Sequence, residues 1–230
     1  MQLGQNFFKD VANLLPGLKL EVIFDVGANI GETATAYCKS VPFATVYCFE
    51  PIASTFRILR DNTDSYSRII CEQLALGSAM QTAEMVTDGP HQMHHMKAHP
   101  TIPVDETSAR HETVTVTTID SYCTQEDISR IHLLKSDTEG FDMQVLIGAR
   151  EMLERQAIDL IDVEVGMHPR NLRHVPFEEI KAFLQQRSYF VFGLYQQVSE
   201  WTEKKPQLRR VNAVFISETV ITAYTNRGKV

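Results

Sequence analysis

The chain has 230 residues, 43% of them hydrophobic, enough for one domain with a sizeable core and too many for a globally disordered protein. Its formal charge of −7 argues against a nucleic-acid binder, whose footprint is a basic face. The sequence offers no run of about 18 apolar residues for a membrane span and no basic, then apolar, secretion signal in MQLGQNFFKD. The four cysteines, Cys38, Cys48, Cys71 and Cys123, form no close C-x-x-C pair and read as reduced thiols, so a cytoplasmic protein is expected.

Residues 5–15 have the apolar spacing of a short helix that ends near Pro16-Gly17. LEVIFDV (20–26) is a continuous apolar run stopped by glycine, as in a strand covered on both faces. Residues 31–40 read as a helix and ATVYCFE (44–50) as a second strand. Pro51 then suits the first turn of a helix whose apolar face is Ile52, Phe56 and Leu59. SRIICEQLAL (67–76) predicts a third strand. AEMVT (83–87) and HETVTVTTID (111–120) alternate and predict an added hairpin. IHLLKSD (131–137) is a buried strand, followed by one helix with the stripe Val145, Leu146, Ala149, Met152 and Leu153. AIDLIDVEV (157–165) is a strand; Phe177, Ile180, Phe183 and Leu184 mark a helix. YFVFGLY (189–195) and VNAVFIS (211–217) close the chain as paired strands.

This alternation predicts an α/β fold with a mainly parallel seven-stranded sheet, helices on both faces and a small β insertion. One domain is expected over 1–230, with 1–19 as an N-terminal helical extension. Residues 88–112 carry His91, His94, His95, His99 and His111, match no standard zinc spacing, and read as a lid or flexible loop where Met93 and Met96 would touch substrate.

Ligands of such sheets bind beyond the carboxyl ends of the strands, where strand order switches. Asp25, Glu50, Asp137 and Glu164 each stand at such an end. The turn Gly27-Ala28-Asn29-Ile30-Gly31 departs from the dinucleotide pattern G-x-G-x-x-G by placing asparagine in the middle. Asp25 just before it is an awkward neighbour for a diphosphate. S-adenosylmethionine (SAM) carries no phosphate; its sulfonium, ammonium and carboxylate suit a strand acid facing open helix-start amides. Glu50 suits both ribose hydroxyls as a double acceptor, although NAD enzymes use an acid in the same place.

FDVGANIGETA, Phe49-Glu50-Pro51, Leu74-Ala75-Leu76-Gly77, Thr118-Ile119-Asp120-Ser121-Tyr122 and LLKSDTEGFDMQVLIGA (133–149) occur in this order. Together they resemble the FkbM family of SAM-dependent methyltransferases, with DTEGFD the most specific segment. The resemblance implies a Rossmann-like class I methyltransferase fold. It implies SAM contacts at Asp25, Gly27, Asn29 and Gly31, with Glu50 on the ribose and Ala75 and Leu76 beside the adenine. It also implies O-methylation of a sugar, glycan or secondary-metabolite hydroxyl.

Methyl transfer to a hydroxyl needs alignment, a dry site and a proton acceptor. Asp137, Glu139, Glu164 and His168 are the candidates by strand-end position. Two mechanisms stay open: a magnesium-type ion held by Asp137 and Glu164, with Glu139, or metal-free catalysis with His168 or a carboxylate as base. Lys135, in an apolar strand, is expected to pair with a nearby acid. Asp120 is expected to cap the helix at Ser121. Loop 166–176, with Arg173 and His174, is expected to wall the acceptor site. The acceptor is a small molecule or glycan, with no nucleic acid as partner. The other readings are an NAD-type oxidoreductase and a non-catalytic domain that keeps the fold as a binding scaffold.

Overall fold

The structure is a computed structural model that describes residues 4–87, 95–96, 111–199 and 206–225. The chain runs α1 (Phe7–Leu14), β1 (Val22–Val26), α2 (Glu32–Ser40), β2 (Thr45–Phe49), α3 (Ala53–Thr63), β3 (Ile69–Glu72) and β4 (Ala75–Leu76). Next come β5 (Gln81–Val86), β6 (His95–Met96), β7 (His111–Thr117), α4 (Ile119–Gln125), β8 (Ile131–Ser136), α5 (Asp142–Ile147) and α6 (Arg150–Glu154). β9 (Ile158–Gly166), α7 (Phe177–Gln185), β10 (Tyr189–Ser199), β11 (Leu208–Ser217) and α8 (Glu218–Thr225) complete it.

Seven strands form one sheet in the order β10-β11-β9-β8-β1-β2-β3. The pairs from β9 to β3 are parallel, and β11 is antiparallel to both β9 and β10. The expected mainly parallel sheet is therefore present. Every residue of β9 is buried, the acids Asp159, Asp162 and Glu164 included, as in a strand covered on both faces. Alternate residues of each strand feed two cores. Phe24, Leu134, Ile161 and Phe215 pack on α4 to α7; Ile23, Leu133, Leu160 and Val214 pack with α1, α2, α3 and α8. All four cysteines are free.

The insertion is a second sheet, ordered β4-β7-β5-β6, with β5 and β7 paired as the predicted hairpin. The expected third strand divides here: β3 stays in the main sheet, while Ala75 and Leu76 turn away to pair in parallel with Val116 and Thr117. The expected single helix after β8 also divides, into α5 and α6, at Gly148. A Cβ there would lie 2.0 Å from the Gly77 carbonyl oxygen, so the α5–α6 corner meets the end of β4 in the second sheet at a point that only glycine allows. Pro51 lies before α3, because the Ile52 amide donates to Glu50 Oε1 at 3.0 Å and stays extended. Asp120 does not cap its own helix. Thr118 does that by accepting from the Ser121 amide, and Asp120 instead accepts from the Glu151 and Met152 amides of α6. The histidine-rich stretch falls outside the described residues except for 95–96 in β6 and His111, which begins β7. Among the described residues no helix is long and apolar enough to cross a membrane.

Gly148 has an ordinary φ of −73°, so its requirement is space rather than backbone freedom. Gly148→Ala should cost about 1–3 kcal/mol by overpacking, read as a lower midpoint in thermal unfolding; an unchanged midpoint would mean that the sheet junction yields.

Candidate active site

The chain leaves β1 for β2 and β3 on one side, then returns through β8 on the other. The gap between β1 and β8 is the switch in strand order, and a cavity of about 650 Å³ opens beyond it. Its floor is the turn after β1. The amides of Gly27 and Ala28 both donate to the Phe49 carbonyl at 3.1 Å, tying the turn to β2. Gly27 has φ +76°, and a Cβ there would meet the Asp137 carbonyl oxygen at 2.1 Å, so this glycine lets the β1 and β8 turns touch. Gly31 has φ +88° and packs on Leu59 and Thr63, setting α2 against α3. Asn29 takes a left-handed φ of 51°. Asn29 lines the cavity, and its side-chain oxygen is buried without a hydrogen-bond partner among the described residues.

Glu50 follows β2 and is buried at the same floor. It accepts from the Asn29 amide at 3.1 Å and the Ile52 amide at 3.0 Å. Burial raises its pKa to about 7 against the pull of those two amides. Each carboxylate oxygen keeps a second lone pair for a ligand. Ala75 and Leu76 line the cavity with Phe49, Leu74, Met85 and Phe141, forming an apolar wall.

Asp25 is placed differently from the expectation. It is wholly buried and does not line the cavity. It stands in register with Lys135 on β8, and the Lys135 ammonium lies 3.2 Å from its Oδ1. The same ammonium lies 3.4 Å from Asp137 Oδ2. Burial raises the Asp25 carboxyl and Lys135 opposes that; the two acids together hold Lys135 well above the ordinary lysine range, so it is a fixed cation. Asp137 is the partly open member of this group, its side chain 35% exposed at the cavity.

The remaining acids are also matched. Glu139 Oε2 lies 3.3 Å from Arg173 Nε. Burial raises the Glu139 carboxyl, and Arg173 opposes. Glu164 is gripped on both oxygens, Oε1 by Arg210 and Oε2 by His174 Nε2 at 2.7 Å. His174 turns its other ring nitrogen to Asn171 Oδ1 at 3.0 Å, so neither nitrogen is offered to the cavity. Burial pushes its pKa down while surrounding acids oppose. His168 is outside the cavity, and its Nδ1 accepts from the Arg170 amide inside its own turn.

The residues do not fit the magnesium-type site. Lys135 stands against Asp137 and Arg210 against Glu164, cations that would repel a divalent ion, and His174 takes the other Glu164 oxygen. Among the described residues no three His, Cys, Asp or Glu side chains gather as a metal site.

The loop with Arg173 and His174 does wall the cavity, as expected. Gln196, Val198, Arg209 and Arg210 from β10 and β11 line it too, and the sequence reading missed them. The adjacent arginines at the head of VNAVFIS were the available signal.

A family model described as a methyltransferase FkbM domain matches residues 25–191. The hexuronic acid methyltransferase AglP of Haloferax volcanii is 24% identical over 160 residues, 66% of this chain; the chain spans 59% of the length of that relative. TrmK of M. capricolum, solved with S-adenosyl-homocysteine, superposes with a TM-score of 0.51 at 9% identity, over 92% of this chain and 67% of that one. That likeness shows a shared fold.

Lys135→Met would strand the buried Asp25 charge and should cost about 3–5 kcal/mol, measured by urea unfolding. Adding Asp25→Asn should restore part of the loss. A single-variant cost below about 1 kcal/mol would contradict a buried ion pair of this kind.

Proposed function

The chain belongs to the FkbM methyltransferase family, and from that premise we propose that it methylates a hydroxyl of a sugar, glycan or secondary metabolite, with SAM as donor. The observation that carries the cofactor reading is the pair of buried acceptors on the cavity floor, Glu50 and the unpartnered Asn29 Oδ1. SAM presents two ribose hydroxyls and an ammonium, donors that match them. Glu50 takes the ribose hydroxyls, Asn29 takes the ammonium, and the wall of Leu74, Ala75, Leu76 and Met85 takes the adenine. The helix-start amides of α2, beside Glu32 and Thr33, take the carboxylate.

When bound, SAM supplies an electrophilic methyl group on its sulfonium. The chain's own task is then to hold one hydroxyl oxygen in line and accept its proton. Asp137 is the base for that step: its side chain is more open than that of Glu139, and both oxygens of Glu164 are occupied. Lys135 lies against one Asp137 oxygen, and the side chain stays partly open at the cavity. The name of the Haloferax relative, a methyltransferase acting on a hexuronic acid, supports a sugar as acceptor.

Glu50→Ala should weaken S-adenosylhomocysteine binding about 10- to 100-fold in calorimetry, the loss expected for charged hydrogen bonds. Unchanged affinity would move the ribose elsewhere. Asp137→Asn should lower turnover by about 100-fold or more and leave S-adenosylhomocysteine affinity within about twofold. Glu50 has a folded pKa of about 7 and acts as a double acceptor when ionised. Its ionised fraction falls as pH drops through that value, so cofactor affinity should weaken from pH 8 to pH 6. Glu50→Gln should flatten this dependence; a profile that stays steep in the variant would assign it to another group.

A further inference from the structure

The strand β11 places two adjacent arginines, Arg209 and Arg210, on the wall of the cavity opposite the cofactor floor, and loop residue Arg173 joins them. Three arginines in one wall run against the −7 charge of the whole chain. Two of them have acids to answer: Arg173 faces Glu139 and Arg210 faces Glu164. No carboxylate among the described residues pairs with Arg209. It is half-buried, its carbonyl is fixed by the Met167 amide and the Asn171 side chain, and so its position on the wall is set.

The facing strand is shaped for the same wall. The β10–β11 register shifts between Tyr195 and Val198, and Gln196 takes φ 44° there. Such a bulge re-aims a side chain beside a site, and Gln196 lines the cavity. The family match ends at residue 191, so Gln196, Arg209 and Arg210 lie beyond it. Family membership therefore does not account for this wall.

We propose that the β10–β11 hairpin selects an acceptor bearing an anionic group, carboxylate or phosphate, held by Arg209 with Gln196 beside it. This rests on the methyltransferase reading above. A planar guanidinium binds either anion through paired N–H donors, whereas a neutral sugar leaves the half-buried cation without a counter-charge. The anion anchors one end of the acceptor at the hairpin and leaves a hydroxyl to reach Asp137. Selection comes from the charge that a neutral competitor lacks.

The test is calorimetry on the full chain saturated with S-adenosylhomocysteine, titrated with glucuronate, glucose 6-phosphate and glucose. At least one anionic sugar should bind about tenfold or more tightly than glucose. Arg209→Gln should erase that preference while S-adenosylhomocysteine still binds, and Arg209→Lys should restore part of it. Preference for glucuronate assigns a carboxylate acceptor, and preference for the phosphate assigns a phosphorylated one. Equal binding of all three sugars to a chain that does bind S-adenosylhomocysteine would overturn the hairpin assignment and leave the cofactor reading standing. Failure of S-adenosylhomocysteine itself to bind would remove the reading beneath both.

Discussion

One buried lysine holds the switch point together. Lys135 sits on β8 in register with Asp25 on β1, and its ammonium also reaches Asp137 just past the strand. Asp162 on β9 is in register with Lys135 from the other side, raised to about 6 by burial and tempered by Asn212. A charge in such surroundings survives only with partners. The partners here come from the neighbouring strands, so the ionic row fixes the strand order at the place where the sheet divides. The Gly27 turn then lies against the Asp137 carbonyl, and the mouth of the cavity takes its shape from that contact.

The chemistry of the site follows from the same pairing. Asp25 supplies the second negative charge that keeps Lys135 cationic, and it does so from outside the cavity. Asp137 shares that cation and stays partly open at the cavity. Glu139 and Glu164 are matched by Arg173 and Arg210, which leaves Asp137 at the centre of the cavity, Glu50 on its floor, the exposed Glu32 at the start of α2 and a basic outer wall. On the proposed reading each region takes a different ligand chemistry: hydroxyls and an ammonium on the floor, a reacting hydroxyl in the middle, an anion at the rim.

Much of this was legible in the sequence, because it depends on periodicity and on strand ends. Apolar runs identified the strands, and the glycine turn, Glu50 and Asp137 line one cavity, as their positions after strands led one to expect. What failed was direction. Asp25 and Glu164 share the strand-end position with Glu50, yet one points into the sheet and the other is clamped by its neighbours, a difference set by the cross-strand partners Lys135 and Arg210. His168 and His174 sit in one loop, and only folding shows that the second meets Glu164. Ala75 and Leu76 read as the end of a strand, but their partners lie in the other sheet. Asp120 follows the local rule for a cap and is instead used by a helix 31 residues away in sequence. Arg209 and Arg210 were missed because only the antiparallel edge of the sheet brings their late hairpin beside the loop of Arg173.

The central claim is that an adenosyl ligand lies across the β1–β8 switch with its sugar on Glu50. A crystal structure of the chain with S-adenosylhomocysteine tests it most directly. The account predicts both ribose hydroxyls within about 3 Å of the Glu50 carboxylate and the amino group on Asn29 Oδ1, with Asp137 open to the remaining space. Ligand density elsewhere on the protein, with Glu50 closed off by side chains, would contradict it.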